Sequence, residues 1–370
     1  METRPEMTCI PLANPKNLKV CCELCSKPAF VFCEKCRVTY YCDTEHQRVD
    51  WLGIHEKICQ MLIPLRTPIP FISGSEKERE YRNQQQVLRQ KQLIDVSSNA
   101  GQKLLFEGKY EYAIPAAMQT LKFTMEVYGS ASIELASPYL MLGESCIGLS
   151  RLLQADEYLH QAQWIILKNS FCDNSIKSRM HRNFGMLFAT QKKHTEALHH
   201  FAQDIYYSSL AFGTDNIRTS GGYFHMANVF YQQNKRETAY SLYGQLTTMW
   251  NDTLFKMVEQ RSVEAASLPQ KKLIDNSIED SCFLDEVQGA EAVKILHTIL
   301  ELHENQKPPF LKELTKNLFT LAMLYTILEN FVKAKEFLSK ALSTAKLYSS
   351  EEKRLHWFES IYLMLENMTK

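Results

Sequence analysis

This sequence of 370 residues has no formal net charge, few glycines and prolines, and no long apolar run. The 42 Lys and Arg residues balance 42 Asp and Glu residues, which argues against broad electrostatic attraction to nucleic acid or to a membrane. No apolar run approaches the length of about 18 residues that a membrane span needs. Only 13 Gly and 12 Pro accompany 45% hydrophobic residues, which predicts a folded, mostly helical protein of two or three domains.

Signatures of enzyme active sites are also missing. No Gly-x-Gly-x-x-Gly, P-loop or Gly-x-Ser-x-Gly motif occurs, so nucleotide-binding and hydrolase folds are not indicated. Residues 1–19 lack the apolar core of a secretory signal, and we expect them to form a flexible leader of an intracellular, cytoplasmic protein. These absences favour a non-enzymatic function, with no catalytic residue and no organic cofactor.

The eleven cysteines are distributed unevenly. Six lie within residues 22–59, and the other five are scattered and odd in number: Cys9, Cys21, Cys146, Cys172 and Cys282. This distribution argues against a disulfide framework, and thiolate metal ligands suit a reducing compartment. Cys21 adjoins Cys22, but only Cys22 leaves a two-residue gap before Cys25, so Cys21 is predicted to be a bystander.

The clustered cysteines alternate with two histidines in four short pairs. Two pairs are Cys-x-x-Cys knuckles, which let two thiolates reach one ion, and two are spaced i,i+4, which places both side chains on one face of a helical turn. Eight such ligands make two tetrahedral Zn²⁺ sites, and the metal would supply on the order of 10–16 kcal/mol of folding energy per site. The predicted ligands are Cys22, Cys25, Cys33, Cys36, Cys42, His46, His55 and Cys59.

The residues between these ligands resemble the MYND zinc finger, and the matching positions are Tyr40, Tyr41, Gln47, Asp50 and Trp51. The resemblance implies interleaved sites, in which the first and third ligand pairs hold one zinc ion and the second and fourth pairs hold the other. Protein ligands would then fill both sites, and a closed zinc site is structural rather than catalytic.

Two positions depart from the family pattern. His46 stands where the family usually has Cys, and histidine is a good zinc ligand. The alternative is that His46 is an exposed helix residue and that the first site has three ligands. One residue more than usual separates Trp51 from His55, and we expect Gly53 to absorb it in a turn.

The MYND resemblance also implies a binding surface, because these fingers generally bind short proline-containing peptides beside their second helix. Gln47 and Trp51 occupy positions that match the groove of the family. The alternative for Trp51 is simple packing against its own zinc core.

Small residues recur in pairs twelve residues apart through much of the remaining chain. Such residues allow two antiparallel helices to approach closely, and the turn-prone Gly108 and Asn234 fall between members of a pair. Hairpins that cannot bury their own apolar faces stack into a solenoid. Four pairs follow at a step of 42 residues and a fifth keeps the internal spacing: Gly101 and Ala113, Gly143 and Ala155, Gly185 and Ala197, Ala227 and Ala239, and Ala322 and Ala334.

This pattern resembles the tetratricopeptide repeat, whose usual unit is about 34 residues, and its longer form in kinesin light chain. The predicted fold class is mostly α, with a small two-zinc finger followed by a helical solenoid. Trp164, Trp250 and Trp357 are predicted to lie in the core. The predicted segments are a leader (1–19), the finger (20–62), an extended proline-containing linker (63–75), repeats 1–4 (76–253), an irregular loop and helix (254–310), and a further repeat with a capping helix (311–370).

The first helix of a tetratricopeptide hairpin lines the concave groove, and Arg179 and Arg182 fall at positions that would face it. We expect them to contact an acidic stretch of a partner protein. The alternative is an ordinary solvated helix face.

A MYND finger followed by tetratricopeptide hairpins resembles adaptor proteins, which implies a scaffold in cilia or sperm flagella that assists dynein complexes. A transcriptional corepressor adaptor is an alternative, although no basic DNA-binding patch is present. A relative of the SET-type methyltransferases is disfavoured, because the sequence has no Asn-His-x-Cys motif. The expected partners are proteins, not nucleic acid or membrane.

Overall fold

The computed structural model describes residues 20–67, 76–169, 171–267, 284–306 and 310–345. It is predominantly helical, with one small sheet in which β1 (Val31–Phe32) pairs antiparallel with β2 (Tyr40–Tyr41). The helices are α1 (Thr44–Asp50), α2 (Glu56–Arg66), α3 (Glu76–Phe106), α4 (Tyr110–Tyr128), α5 (Ala136–Gly148), α6 (Leu152–Lys168), α7 (Asn174–Thr190), α8 (His194–Phe212), α9 (Ser220–Gln232), α10 (Arg236–Ser267), α11 (Glu286–Glu304), α12 (Leu311–Ile327) and α13 (Phe331–Ala345).

The chain divides into two compact units, Met1–Asn183 and Phe184–Lys370, and the boundary falls inside α7. The first unit holds the finger and the hairpins α3–α4 and α5–α6, and the second holds α8 to α13. Within the described ranges, no helix combines the length and apolar character of a membrane span. The predicted fold class, a small finger followed by helical repeats, is confirmed.

The five predicted hairpins turn through the same backbone motif. The amide of Lys109 donates to the carbonyl of Leu104 at 2.9 Å, and the amide of Asn330 donates to that of Tyr325 at 2.9 Å. This bond belongs to a Schellman cap, which satisfies carbonyls at the end of a helix. The sequence repeat is therefore a repeat of structure. The residue before each donor has a φ between 58° and 72°, and these residues are Gly108, Ser150, Lys192, Asn234 and Glu329.

The small residues of the repeat are contact points between paired helices, as predicted. A Cβ at Gly143 would lie 2.6 Å from Leu159 Cδ2, and one at Gly185 would lie 2.5 Å from the Phe201 ring. A larger residue at either glycine would require the facing side chain to move. The alanines that complete the pairs are fully buried, among them Ala113, Ala155, Ala197, Ala239 and Ala334.

The fourth repeat does not end where predicted. α10 continues to Ser267, so the expected irregular conformation from residue 254 onward is wrong for the first part of that segment. Leu254 and Val258 are fully buried in a cluster with residues of α11, α12 and α13, and this apolar surface explains the longer helix. Residues 268–283 and the predicted capping helix lie outside the described residues, as does the predicted leader.

The tryptophan predictions have mixed outcomes. Trp250 is buried in the second unit, as expected, but Trp164 is 62% exposed on α6. The buried side of α6 carries Ala155, Leu159 and Ala162, which leaves Trp164 on the outer side. A helix with apolar residues on two sides does not reveal from its sequence which side is buried. Trp357 lies outside the described residues.

The finger packs directly against the first hairpin. The carboxylate of Glu23 accepts hydrogen bonds from Arg66 at 2.6 Å, Gln119 Nε2 at 2.8 Å and Lys122 Nζ at 3.1 Å. Burial pushes the pKa of Glu23 upward, but Arg66, Lys122 and the hydrogen bonds together lower this pKa to about 2. A buried apolar cluster completes the interface: Ile54, Ile58 and Leu62 from the finger with Leu93, Ala100, Ala116 and Phe123 from α3 and α4.

The predicted linker at residues 63–75 therefore begins later than expected. α2 continues through Pro64 to Arg66, and the Thr67 amide closes it by donating to the Ile63 carbonyl at 2.9 Å. In the last turn of a helix, a proline removes one backbone hydrogen bond and crowds the carbonyl four residues earlier, and the packing of α2 on the hairpin outweighs this cost. Residues 68–75 lie outside the described residues. The finger and first hairpin form one packed body.

Gly53 marks the closest approach between the finger and the hairpin. A Cβ at this position would lie 2.5 Å from the carbonyl oxygen of Tyr112 and 3.2 Å from Pro115 Cβ, both on α4. A backbone carbonyl and a proline ring cannot rotate away as a flexible side chain can. The absence of a side chain at Gly53 is therefore what allows the finger to dock.

Gly53→Ala is expected to lower the free energy of unfolding by about 1–3 kcal/mol, because the new methyl group has no room. Urea denaturation of the zinc-loaded chain measures this change. Gly244→Ala is the matched control, since Gly244 is also helical and a Cβ there would meet nothing within 4 Å. The control should raise stability by up to about 1 kcal/mol. Equal effects of the two substitutions would contradict the docking role of Gly53.

Candidate metal centre

The eight predicted ligands form two groups of four, and within each group all ligand atoms lie within 4.8 Å of one another. The first group is Cys22, Cys25, Cys42 and His46. His46 Nδ1 lies 3.4 Å from Cys22 Sγ and 3.1 Å from Cys42 Sγ, and the sulfurs of Cys25 and Cys42 are 3.5 Å apart. His46 therefore points into the group of ligands, as expected of a fourth ligand.

The second group is Cys33, Cys36, His55 and Cys59, and all four residues are buried. The sulfurs of Cys33 and Cys59 are 3.9 Å apart, and His55 Nε2 lies 3.6 Å from Cys36 Sγ. The hydrogen bond between Cys33 and Cys36 shifts their two pKa values in opposite directions. It is the largest of the influences that lower the pKa of Cys36, and it raises the pKa of Cys33. The site thus favours a thiolate, which is the form that binds metal.

These distances match tetrahedra around zinc. With Zn–S near 2.3 Å and Zn–N near 2.0 Å, neighbouring ligand atoms stand about 3.5–3.8 Å apart. The sulfur separations of 3.5 Å and 3.9 Å are too long for a disulfide, whose S–S bond is about 2.05 Å. Three thiolates and one imidazole at each site suit Zn²⁺. The two groups therefore fit two zinc ions, and with four protein ligands each ion would be structural.

Local backbone geometry shapes each ligand pair. Ser26 and Arg37 have φ values of 57° and 59°, and their amides donate to the carbonyls of Cys22 and Cys33 at 3.0 Å and 2.8 Å. These turns close the two knuckles. Asp43 then caps α1 by accepting from the His46 amide at 2.8 Å, which holds His46 in the first helical turn. The interleaved pairing implied by the MYND resemblance is confirmed.

The extra residue before His55 is accommodated by a π-helical turn, Trp51–His55, that joins α1 to α2. Gly53 lies inside this turn, and the turn expected there is π-helical. A π-helical turn takes in one more residue than an α-helical turn without leaving the helix. His55 and Cys59 consequently stay on one helical run and reach the same site.

Asp50 is a buried carboxylate placed behind His55. Its Oδ2 accepts a hydrogen bond from the Tyr41 hydroxyl at 2.6 Å and lies 3.6 Å from His55 Nδ1. His55 turns Nε2 toward Cys36 Sγ in the second ligand group, so with zinc bound there its proton would reside on Nδ1 and face the carboxylate. Sequence reasoning assigned Asp50 no role. The signals in the sequence are its match to the MYND pattern and its spacing of five residues before His55, which aligns the two residues only in a π-helical turn.

Gln47 and Trp51, the predicted peptide contacts, lie one helical turn apart beside the second site. Gln47 is buried, and its Oε1 has no hydrogen-bond partner in the described part of the chain. The Trp51 ring lies 5.7 Å from that of His55, and Lys35 Nζ lies 4.4 Å from the Trp51 centroid. Trp51 therefore packs on the zinc core and is still partly exposed.

Arg179 and Arg182, the predicted groove contacts, lie on α7 and are half-buried. Arg179 donates to Ser137 Oγ on α5 at 3.3 Å. Contact of either arginine with a partner stays a prediction.

Residues 22–59 match the family model described as the MYND finger. Among solved structures, BtubC (BKLC) from P. vanneervenii is similar at 13% identity over 65% of this chain and 93% of that chain, with a TM-score of 0.34. Aspartyl phosphate phosphatase F from Bacillus subtilis is similar at 15% identity over 80% and 81% of the two chains, with a TM-score of 0.36. At these scores, neither likeness indicates what this chain does.

The described part of the chain thus joins a finger with two groups of zinc ligands to helical repeats. Its finger is a MYND finger. Both parts are typical of protein interaction modules.

Asp50→Asn is expected to weaken zinc binding at the second site about 10–100-fold, because the carboxylate no longer orients His55. Competition with a coloured chelator measures release of the two ions as two phases. Only the phase of the second site should accelerate. Glu45→Gln, an exposed change on α1, is the control and should alter neither phase. Equal acceleration of both phases would mean that Asp50 only stabilises the fold.

Removal of zinc with a strong chelator is expected to loosen α3 and α4 together with the finger, because the finger supplies part of their apolar cluster. Hydrogen exchange of backbone amides should accelerate about tenfold or more in both helices. The hairpin α12–α13, in the other unit, should be unaffected, and adding zinc back should restore protection. Exchange that rises only within residues 20–67 would show that the finger folds independently.

Proposed function

We propose that this chain is a zinc-stabilised adaptor that binds one peptide at the finger and another at the helical repeats, without catalysing a reaction. The observation that carries the proposal is the partly exposed Trp51 ring, which packs on His55 of the second ligand group and has Lys35 Nζ 4.4 Å from its centroid. An aromatic face favours contact with proline rings. A proline-containing peptide supplies such rings.

The second peptide site is proposed at α7, where Arg179 and Arg182 lie close together on the helix. Two guanidinium groups on one helix offer paired hydrogen bonds to carboxylates. Arg179 is already steadied by Ser137, which reduces the entropy lost on binding. An acidic stretch of a partner protein is the occupant that this chemistry favours.

The closed zinc sites support a non-catalytic function, because four protein ligands leave no position for an activated water. A methyltransferase relative is the alternative enzyme, and it requires measurable affinity for S-adenosylmethionine. A corepressor adaptor is the alternative of the same class, and it differs from the favoured proposal in its partners rather than in its chemistry.

The setting that we propose is the cytoplasm, cilium or sperm flagellum, with partners among axonemal or dynein-associated proteins. This proposal rests on the resemblance to proteins that join a MYND finger to tetratricopeptide hairpins. Affinity purification from ciliated or testicular cells tests it. Recovery of nuclear corepressors in place of axonemal proteins would overturn the proposed setting and favour the alternative.

Fluorescence polarisation with labelled peptides of about ten residues, each with one to three prolines, tests the finger site. Trp51→Ala is expected to weaken binding about tenfold or more. Trp164→Ala is the matched control, because Trp164 is a 62% exposed tryptophan on α6. Zinc content is measured for every variant, so that lost binding is separated from a lost fold. Absence of binding, or equal effects of the two substitutions, would contradict the finger site.

A further inference from the structure

The first part of α3 extends beyond the helix that covers the rest of it. α3 and α4 run antiparallel, because Gln90 Nε2 donates to Glu126 Oε2 at 2.9 Å while a Cβ at Gly101 would lie 3.4 Å from Ala116. α4 ends at Tyr128, only two residues past Glu126. Every residue from 76 to 89 is accordingly exposed or half-exposed. A helical segment of this length is marginal in water without packing.

The outer face of this segment carries two exposed apolar side chains. Tyr81 is 63% exposed and Leu88 is 50% exposed, and they lie two turns apart on one side of the helix. Gln86 and Gln90 lie on the other side, where they line a cavity of about 300 Å³ at the finger. The side of α3 that carries Tyr81 and Leu88, called the Tyr81 face below, therefore points away from the finger and from α4.

We propose that the outer face of α3 is a dimerisation surface, on which a second copy of this chain packs antiparallel. Tyr81 would pack against the partner's Leu88 and Leu88 against the partner's Tyr81, related by a two-fold axis. Gln84 and Gln85 would meet their counterparts at the centre and pair their amides.

Charge complementarity favours a second copy in this orientation. Glu78 and Arg89 lie on one flank of the Tyr81 face, and Glu80 and Lys91 lie on the other flank. In an antiparallel pair, residues on the same flank face each other, so Glu78 meets the partner's Arg89 and Glu80 meets the partner's Lys91. The two-fold axis repeats each pair. A parallel pair would instead set one flank against the partner's other flank, so that Glu78 would meet the partner's Glu80 and Arg89 the partner's Lys91, which are like charges.

The same register satisfies the apolar and the charged contacts, which is what a specific interface requires. Lys91 is exposed, and its Nζ lies 5.6 Å from the Tyr128 ring centroid at the end of α4, close to the proposed contact. The pairing segment is short, so the dimer is expected to be weak, with a dissociation constant on the order of 10 µM or above. Association should therefore depend visibly on protein concentration.

Sedimentation velocity of the zinc-loaded full chain, from about 1 to about 200 µM, tests the proposal. One variant carries Glu78→Arg with Glu80→Lys, and a second carries Arg89→Glu with Lys91→Glu. Each is expected to raise the dissociation constant about tenfold or more, because two pairs on each side become repulsive. An equimolar mixture of the two variants should recover a dimer, since every reversed charge then meets its opposite. The chain with all four reversals should also recover self-association.

Arg79→Glu is the matched control, because Arg79 is exposed on the same segment but on the opposite side of the helix. It should leave the dissociation constant unchanged. A wild-type chain that stays monomeric over the whole range would overturn the proposal. So would a mixture of the two reversal variants that associates no better than either alone, or a dimer that both variants retain.

Discussion

Coordination of two zinc ions is the constraint on which the first unit depends. Each ion joins segments far apart in sequence, such as Cys22 with His46 and Cys33 with Cys59, so the path from the small sheet into α1 and α2 is set once both sites close. Only along this path does the apolar side of α2 face α3 and α4. A segment of this size has too little core to keep such a path without metal.

The interface between finger and hairpin fixes the position of the finger relative to α3 and α4. Glu23 stands inside the first zinc knuckle and also holds Arg66 and Lys122, so the metal site and the hairpin share a residue. A finger on a flexible tether would search for its peptide independently of the repeats. Here, the surface around Trp51 has a fixed position relative to α3 and α4, which would lower the entropy cost of binding a partner that touches both.

The repeats show how one backbone device tolerates varied side chains. A left-handed residue ends the first helix of each hairpin, and it is a glycine only at Gly108. Ser150, Lys192 and Glu329 adopt the same conformation because the Schellman hydrogen bonds and the packed small residues determine the turn. Contacts between helices thus determine where each hairpin turns. α10 can therefore extend beyond its repeat without changing the hairpin register.

The amino-acid sequence alone determined the ligands, the number of metal ions and the register of the hairpins, because ligand spacing and helical periodicity are local properties of the chain. The interleaving of the sites followed from family resemblance. Tertiary structure alone decided the role of Asp50, the docking at Gly53, the outward position of Trp164 and the continuation of α2 past the predicted linker. The role of Asp50 depends on the π-helical turn before His55, and each of the others depends on a neighbour distant in sequence that no local pattern specifies.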